Sequence, residues 1–273
     1  MNYSVLMSVY YKERPEYLKE AMESIFKQTL KTNDFVLICD GPLNDELDLV
    51  ISQMKEKFGR ALSVIRLQEN VGLGNALNEG IKHCKNEIIA RMDSDDIAYP
   101  NRCEIQLRTL VEKNVDILSA GVDEFSYSIE NVDVRRIPPE THEEILNFAK
   151  KRNPFNHPCV MYKKSAVQNC GGYQDFYLLE DYYLWIRMLM KGCKSYNIQD
   201  SLLWMRAGSD MYKRRSGKKH AISQIRLFKY MYNQKFITKR EYYNACLIRS
   251  AASLSPNFIR EFLFKKVLRK KKG

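Results

Sequence analysis

The sequence predicts an α/β fold with a mostly parallel central sheet flanked by helices. Short apolar runs alternate with amphipathic helical patterns over the first hundred residues. Each run is continuously hydrophobic rather than alternating, as in strands covered on both faces. The runs end in polar or glycine-bearing turns, the place where such sheets hold ligands.

Tyr3 to Tyr10 is β-rich and reads as a buried first strand. Pro15 opens a helical pattern with Leu18, Ala21, Met22, Ile25 and Phe26 on one face. Phe35 to Cys39 and Leu62 to Leu67 read as strands, with a helix over Leu47 to Phe58 between them. A third helix is expected over Gly74 to Cys84 and a fourth strand over Ile88 to Met92. Beyond this the pattern predicts a helix at Asn101 to Lys113, a strand at Val115 to Gly121 and an antiparallel excursion over Glu124 to Glu140. A short helix at Glu143 to Lys151 and a strand at Cys159 to Tyr162 follow, then an amphipathic helix from Leu179 to Met190. Two closing strands are expected at Ser195 to Gln199 and Leu202 to Arg206, with a helix at Ala221 to Tyr232.

The ends of the first four strands gather a polar rim: Ser8, Tyr10 and Glu13; Asp40 and Gly41; Asn70, Gly72 and Gly74; Asp93, Asp95 and Asp96. Three carboxylates packed at one strand end repel and lose hydration, which a cation relieves. A solvated Asp-rich turn is the plainer alternative.

Composition limits the classes of function. The 273 residues are 45% hydrophobic and 28% charged, a globular balance with room for a substantial core. The N-terminus lacks a signal-peptide layout, and no apolar stretch is long enough to span a bilayer. Seven scattered cysteines without a CxxC pair argue for free thiols in a reducing cytosol, against a disulfide framework or structural zinc. Charge is divided unevenly. Residues 201–273 hold 19 Lys+Arg and 3 Asp+Glu, or +16, against 25 and 30, or −5, in the first 200; the sum is +11. A basic end of this kind suits an anionic surface.

Six segments together resemble family 2 glycosyltransferases of the GT-A fold, over roughly residues 3–210. They are Ser-Val-Tyr-Tyr-Lys-Glu at 8–13, Cys-Asp-Gly-Pro at 39–42, Glu-Asn-Val-Gly-Leu-Gly-Asn-Ala-Leu-Asn at 69–78, Met-Asp-Ser-Asp-Asp at 92–96, Asn-His-Pro at 156–158 and Leu-Glu-Asp-Tyr-Tyr-Leu-Trp at 179–185. Their order and spacing carry the resemblance. More narrowly, the chain is similar to bacterial enzymes that build capsule, exopolysaccharide or lipopolysaccharide repeat units, as in amylovoran synthesis. The resemblance implies a glycosyltransferase domain over residues 1–210, with a nucleotide-sugar half at about 1–98 and an acceptor half at about 99–210, followed by a basic helical region at 211–273.

The resemblance also implies roles. A nucleotide-sugar donor, a UDP-sugar in the first instance, carries a diphosphate whose departure a divalent cation such as Mn²⁺ or Mg²⁺ assists. Asp95 would bind that metal, Asp93 would face the ribose or sugar, and Asp96 would be support. Asp40 would meet the uracil edge, Ser8, Tyr10 and Glu13 the nucleoside, and Asn70, Gly72 and Gly74 the base and ribose. Related enzymes often have two acids before the glycine after the second strand; here Cys39 replaces the first, so the uracil contact rests on Asp40. Asp181 would be the general base that deprotonates the acceptor hydroxyl in an inverting reaction, with Glu180 beside it. Acidic residues there also favour the helix dipole, whatever their chemistry. His157 would lie beside the acceptor or the diphosphate, or cap local structure; Trp185 would floor the sugar site or join the core. Arg206 and the loop to Arg215 would close over the diphosphate, or form a solvated basic loop.

Phe258, Phe262 and Val267 stand among a run of lysines and arginines, the composition of an interfacial helix on an anionic membrane or of a solvated tail. The expected partners are therefore a nucleotide sugar, a saccharide or polyprenyl-linked acceptor and the inner membrane face, without nucleic acid. Two other readings compete. A nucleotidyltransferase would want a glycine-rich loop after the first strand, which Tyr10 to Pro15 is not. A basic membrane- or nucleic-acid-binding adaptor leaves the strand-end acids unexplained.

Overall fold

A computed structural model describes residues 1–207 and 218–254 of the chain, with side chains through Arg249. The expected closure loop to Arg215 and the basic tail at 258–273 lie largely or wholly outside the described residues.

Nine strands form one sheet in the order β3-β2-β1-β4-β8-β6-β9-β5, with β7 paired to β6. They are β1 (Tyr3–Val9), β2 (Asp34–Cys39), β3 (Leu62–Arg66), β4 (Ile88–Asp93), β5 (Ile97–Ala98), β6 (Ile117–Phe125), β7 (Val132–Arg136), β8 (Met161–Lys163) and β9 (Ser195–Arg206). The long ladders, β1 with β2 and β4, β2 with β3, and β6 with β9, are parallel. Short antiparallel pairings through β8 join the two parallel groups. The sheet is thus mostly parallel, as expected.

The helices are α1 (Pro15–Phe26), α2 (Asp45–Phe58), α3 (Leu73–His83), α4 (Arg102–Glu112), α5 (His142–Ala149), α6 (Lys164–Asn169), α7 (Glu180–Met190), α8 (Lys218–Asn233) and α9 (Lys239–Leu254). They cover both faces of the sheet. In β1, Val5, Met7 and Val9 pack into one core with α1 and α2, while Leu6 points to the other with α3. β2 divides likewise, with Phe35, Leu37 and Cys39 on one side and Val36 and Ile38 on the other. This two-sided burial is why the strands read as unbroken apolar runs. Each large side chain so buried contributes about 1.5–3 kcal/mol.

Two expected strands, 195–199 and 202–206, are one continuous strand, β9, with register shifts against β6 near Gly121. The antiparallel excursion is the β6–β7 hairpin. All seven cysteines are free.

Candidate active site

The parallel register sets the site. Ser8 of β1 lies opposite Asp93 of β4, and Val9 lies opposite Cys39 of β2. Asp40 continues that level, donating its N–H to the Val9 carbonyl at 2.7 Å. The carboxyl ends of β1, β2 and β4 therefore open on one rim.

At the acid loop, carboxylate oxygens of Asp93, Asp95 and Asp96 all fall within 4.8 Å of one another. Burial and the charges of Asp93 and Glu13 push the Asp95 carboxyl up to about 7. Asp96 is buried more deeply and is raised well above the ordinary range by burial and by Asp95. Its Oδ1 accepts the Arg206 backbone N–H at 2.8 Å, while Oδ2 is buried without a hydrogen-bond partner among the described residues. Glu13 Oε2 accepts from Ser94 Oγ at 2.6 Å, which holds the loop after β1 against the acids. Mutual repulsion of this kind gives the triplet the chemistry of a hard-cation site.

Arg206 is joined to the acid loop. Its Nε donates to the Asp95 carbonyl at 3.0 Å and Nη2 to Glu20 at 2.6 Å, with the guanidinium over the rings of Tyr17 and Phe125. Through the Nε contact it braces the acid loop. Arg91 braces it from below: fully buried in β4, it donates to Asp93.

Asp40 is also committed. It is buried, Oδ1 accepts the Val71 N–H at 2.8 Å and Oδ2 accepts from Asn70 Nδ2 at 3.1 Å. Burial raises its carboxyl, and the N–H groups of Val71 and Gly72 oppose the rise. The residue thus anchors the Asn70–Gly72 loop. Gly41 (φ +87°) sits so close that a Cβ there would meet Asn70 N at 2.8 Å, and Gly72 (φ +84°) starts α3 in a conformation that favours glycine. Gly74 faces the side chains of Tyr173 and Glu180. Tyr10 is exposed at the outer edge, in edge contact with Tyr11.

A second group of acids stands at the start of α7. The chain enters through Leu178 in a left-handed conformation (φ 58°), placing Glu180 and Asp181 in the first helical turn. Asp181 Oδ1 accepts the N–H of Tyr182 and Oδ2 accepts from Asn153 Nδ2, both at 2.6 Å. Burial and the charge of Asp181 push the Glu180 carboxyl up to about 7. His157 Nδ1 lies 4.0 Å from Asp181 Oδ2, and Nε2 lies 2.9 Å from Tyr173 Oη. Burial and Arg91 hold the imidazole well below its ordinary range, hence neutral.

Trp185 does not floor an acceptor site. It is wholly buried, in ring contact with Phe155, His157, Tyr162 and Tyr173, and supports His157 from the core. A helix position four beyond Asp181 points inward here because α7 packs its middle against the sheet. Sequence reasoning missed Arg91, Asn153 and Tyr173.

A family model described as glycosyl transferase family 2 matches residues 4–171. The chain belongs to this family. It is therefore a glycosyltransferase, which sets aside the nucleotidyltransferase and adaptor readings. It is 37% identical over 269 residues to the Escherichia coli UDP-Gal:alpha-D-GlcNAc-diphosphoundecaprenol beta-1,3-galactosyltransferase, covering 98% of this chain and 97% of that one. It is 35% identical over 267 residues to the amylovoran biosynthesis glycosyltransferase AmsE of Erwinia amylovora, covering 97% and 98%.

The glycosyltransferase also matches solved structures of the GT-A fold. S. aureus TarS 1–349 in complex with UDP-GlcNAc superposes with TM-score 0.69 at 17% identity, over 97% of this chain and 75% of that chain. A longer TarS chain is spanned to 45% of its length. The mannosyltransferase PcManGT from Pyrobaculum calidifontis, in complex with GDP-Man and Mn2+, gives 0.64 at 16% identity, over 98% and 79%. At these identities the structures speak to fold alone. No helix among the described residues is long and apolar enough to cross a membrane.

Proposed function

We propose that this glycosyltransferase moves a sugar, with inversion, from a UDP-sugar to a saccharide on a polyprenyl lipid during assembly of a bacterial surface polysaccharide. The carrying observation is that the acids at the end of β4 and those at the start of α7 are near enough to act on one another: the charge of Asp93 helps to raise the carboxyl of Glu180, the neighbour of Asp181. Arg91, which donates to Asp93, also acts on His157, whose Nδ1 lies 4.0 Å from Asp181 Oδ2. The E. coli relative, a UDP-Gal:alpha-D-GlcNAc-diphosphoundecaprenol beta-1,3-galactosyltransferase, favours this donor and acceptor.

The acid loop fits a divalent cation, Mn²⁺ or Mg²⁺: it offers hard oxygen donors, an Asp95 carboxyl raised by burial and its neighbours' charge, and a buried Asp96 oxygen without a hydrogen-bond partner among the described residues. Asp95 would hold the ion, Asp93 would turn to the ribose or sugar, and Asp96 would keep the loop in place. A bound cation supplies charge neutralisation at the departing diphosphate. Ser8, Glu13 and the loop anchored by Asp40, with Asn70, Gly72 and Gly74, form the nucleoside end; Tyr10 edges it, and Arg206 contributes through the acid loop.

In the transfer itself, the acceptor oxygen attacks the anomeric carbon as the bond to the diphosphate breaks. The leaving group departs with that electron pair, and Asp181 takes the hydroxyl proton. Asn153 fixes the Asp181 carboxylate, while neutral His157 borders it without competing as a cation. Residues 1–210 would carry this chemistry, and residues 211–273 would keep the enzyme on the inner face of the cell membrane as a peripheral protein.

Donor hydrolysis screened across nucleotide sugars, with and without Mn²⁺, tests the reading. Turnover of a UDP-sugar that chelation abolishes is expected. Absence of both turnover and binding for every donor would refute it.

A further inference from the structure

Asn78 lies in the second turn of α3, the helix that begins just after the loop anchored by Asp40. Its side-chain amide pairs with the backbone of Tyr173 twice over. Nδ2 donates to the Tyr173 carbonyl at 2.7 Å, and Oδ1 accepts the Tyr173 N–H at 2.8 Å. An amide supplies the donor and the acceptor that this pairing needs, whereas a carboxylate of the same shape only accepts. The turn is fitted to the amide: a Cβ on Gly172 (φ +62°) would meet Asn78 Oδ1 at 2.5 Å. From the other side, Arg187 of α7 donates through Nη2 to the Gly172 carbonyl at 2.7 Å and through Nη1 to the Cys170 carbonyl. Residues 170–173 are thus clamped between α3 and α7.

The clamp fixes a buried hydroxyl. Tyr173 is 2% exposed, and its Oη lies 2.9 Å from His157 Nε2. Across the ring, Nδ1 lies 4.0 Å from Asp181 Oδ2, too far for a hydrogen bond but near enough for an N–H dipole to act on a partly buried carboxylate. Burial and the charge of Arg91 keep the ring neutral, so it carries one proton. What each nitrogen faces decides where that proton sits. With the proton on Nδ1, Nε2 accepts from the Tyr173 hydroxyl and an N–H faces the carboxylate. The other tautomer turns a lone pair towards Asp181, and like partial charges then repel.

We propose that Asn78 and Tyr173 are positioning residues for proton transfer: the Asn78 amide holds Tyr173, whose hydroxyl fixes His157 as the Nδ1–H tautomer facing Asp181. This role rests on the reading of Asp181 as the proton acceptor. The N–H keeps the carboxylate ionised and ready to take the hydroxyl proton, and the bond at Nε2 stops the ring from turning. One helix, α3, then serves both ends of the rim, holding the Asp40-anchored loop at its start and the proton-accepting end through Asn78.

The tautomer can be read directly from two-bond ¹H–¹⁵N correlation spectra of the full chain labelled with ¹⁵N-histidine, with a His157→Asn variant to identify the His157 signals. Wild type should show His157 protonated at Nδ1, and Tyr173→Phe should move the proton to Nε2 or spread it over both nitrogens. Transfer by Tyr173→Phe and by Asn78→Asp should fall about 10- to 100-fold in kcat, the scale for groups that orient a reacting residue through its partner, with donor KM within about twofold. Protonation at Nε2 in wild type would overturn the proposal without recourse to any variant's folding. An unchanged tautomer in Tyr173→Phe would overturn it too, as would losses of transfer that follow the thermal midpoint alone, since a merely structural clamp predicts both. The tautomer measurement needs no turnover, so its failure leaves the role of Asp181, tested separately by transfer in Asp181→Asn, standing.

Discussion

Arg206 and Asp96, 110 residues apart in sequence, are joined by a hydrogen bond from the Arg206 backbone N–H to Asp96 Oδ1 at 2.8 Å. The last residue of β9 thus grips the acid loop that follows β4, and its side chain adds a second hold on the Asp95 carbonyl. Strand order explains the reach, because β5 emerges from that loop and pairs directly with β9.

Arg206→Ala keeps the backbone bond and removes the guanidinium, including its favourable charge near Asp95. Mn²⁺ affinity should fall about 10- to 100-fold, as when supporting groups around metal ligands are lost. UDP binding without metal should be unchanged. A Mn²⁺ titration of both proteins checks this.

The carboxyls of Asp95 and Glu180, each raised to about 7, set a pH dependence. In the unfolded chain both ionise near pH 4, so the folded state retains protons that the unfolded state has lost between about pH 4 and 7. Metal-free protein should therefore lose stability as pH rises through that window. A cation that binds ionised Asp95 should bind more tightly as pH rises to about 7 and level off above it. Thermal midpoints at pH 5 to 8, with and without Mn²⁺, check both signs. A metal-induced gain that is larger at pH 5 than at pH 8 would contradict the assignment.

Gly41→Ala places a Cβ on a residue at φ +87° and 2.8 Å from Asn70 N. The conformation alone costs about 1–2 kcal/mol. The clash pushes away the loop that Asp40 holds, so nucleotide affinity should fall together with the thermal midpoint. Calorimetric titration with UDP measures the first and thermal unfolding the second.

Asn153→Ala removes the donor to Asp181 Oδ2 and leaves the acid loop untouched. The turnover number should drop about 10- to 100-fold, the scale of a misplaced reacting group, with donor KM nearly constant. Steady-state kinetics at saturating acceptor separate the two.

The parallel half of the fold and its rim were legible because β1, β2 and β4 are buried on both faces and β1 to β4 end in distinctive turns. Asp93, Asp95, Asp40 and Asp181 stood out as acids at element ends. Arg91 and Tyr173 did not, since an arginine inside an apolar run and a tyrosine after Gly171-Gly172 show their polar partners only once β4, β8 and α7 have packed. Trp185 misled for the same reason: helical spacing places it on the Asp181 side of α7, but burial against Phe155 and Tyr162 decides what it touches. Arg206 looked free because the sequence does not show that β9 ends against the acid loop.

Asp181→Asn keeps the shape of the side chain and removes its capacity to take a proton. Measured alongside the donor dissociation constant, its transfer rate tests the division of the rim into a donor-and-metal end and a proton-accepting end. A fall of about 10²- to 10⁴-fold in transfer with donor binding almost unchanged is expected. Transfer at the wild-type rate, or loss of donor binding in step with transfer, would contradict it.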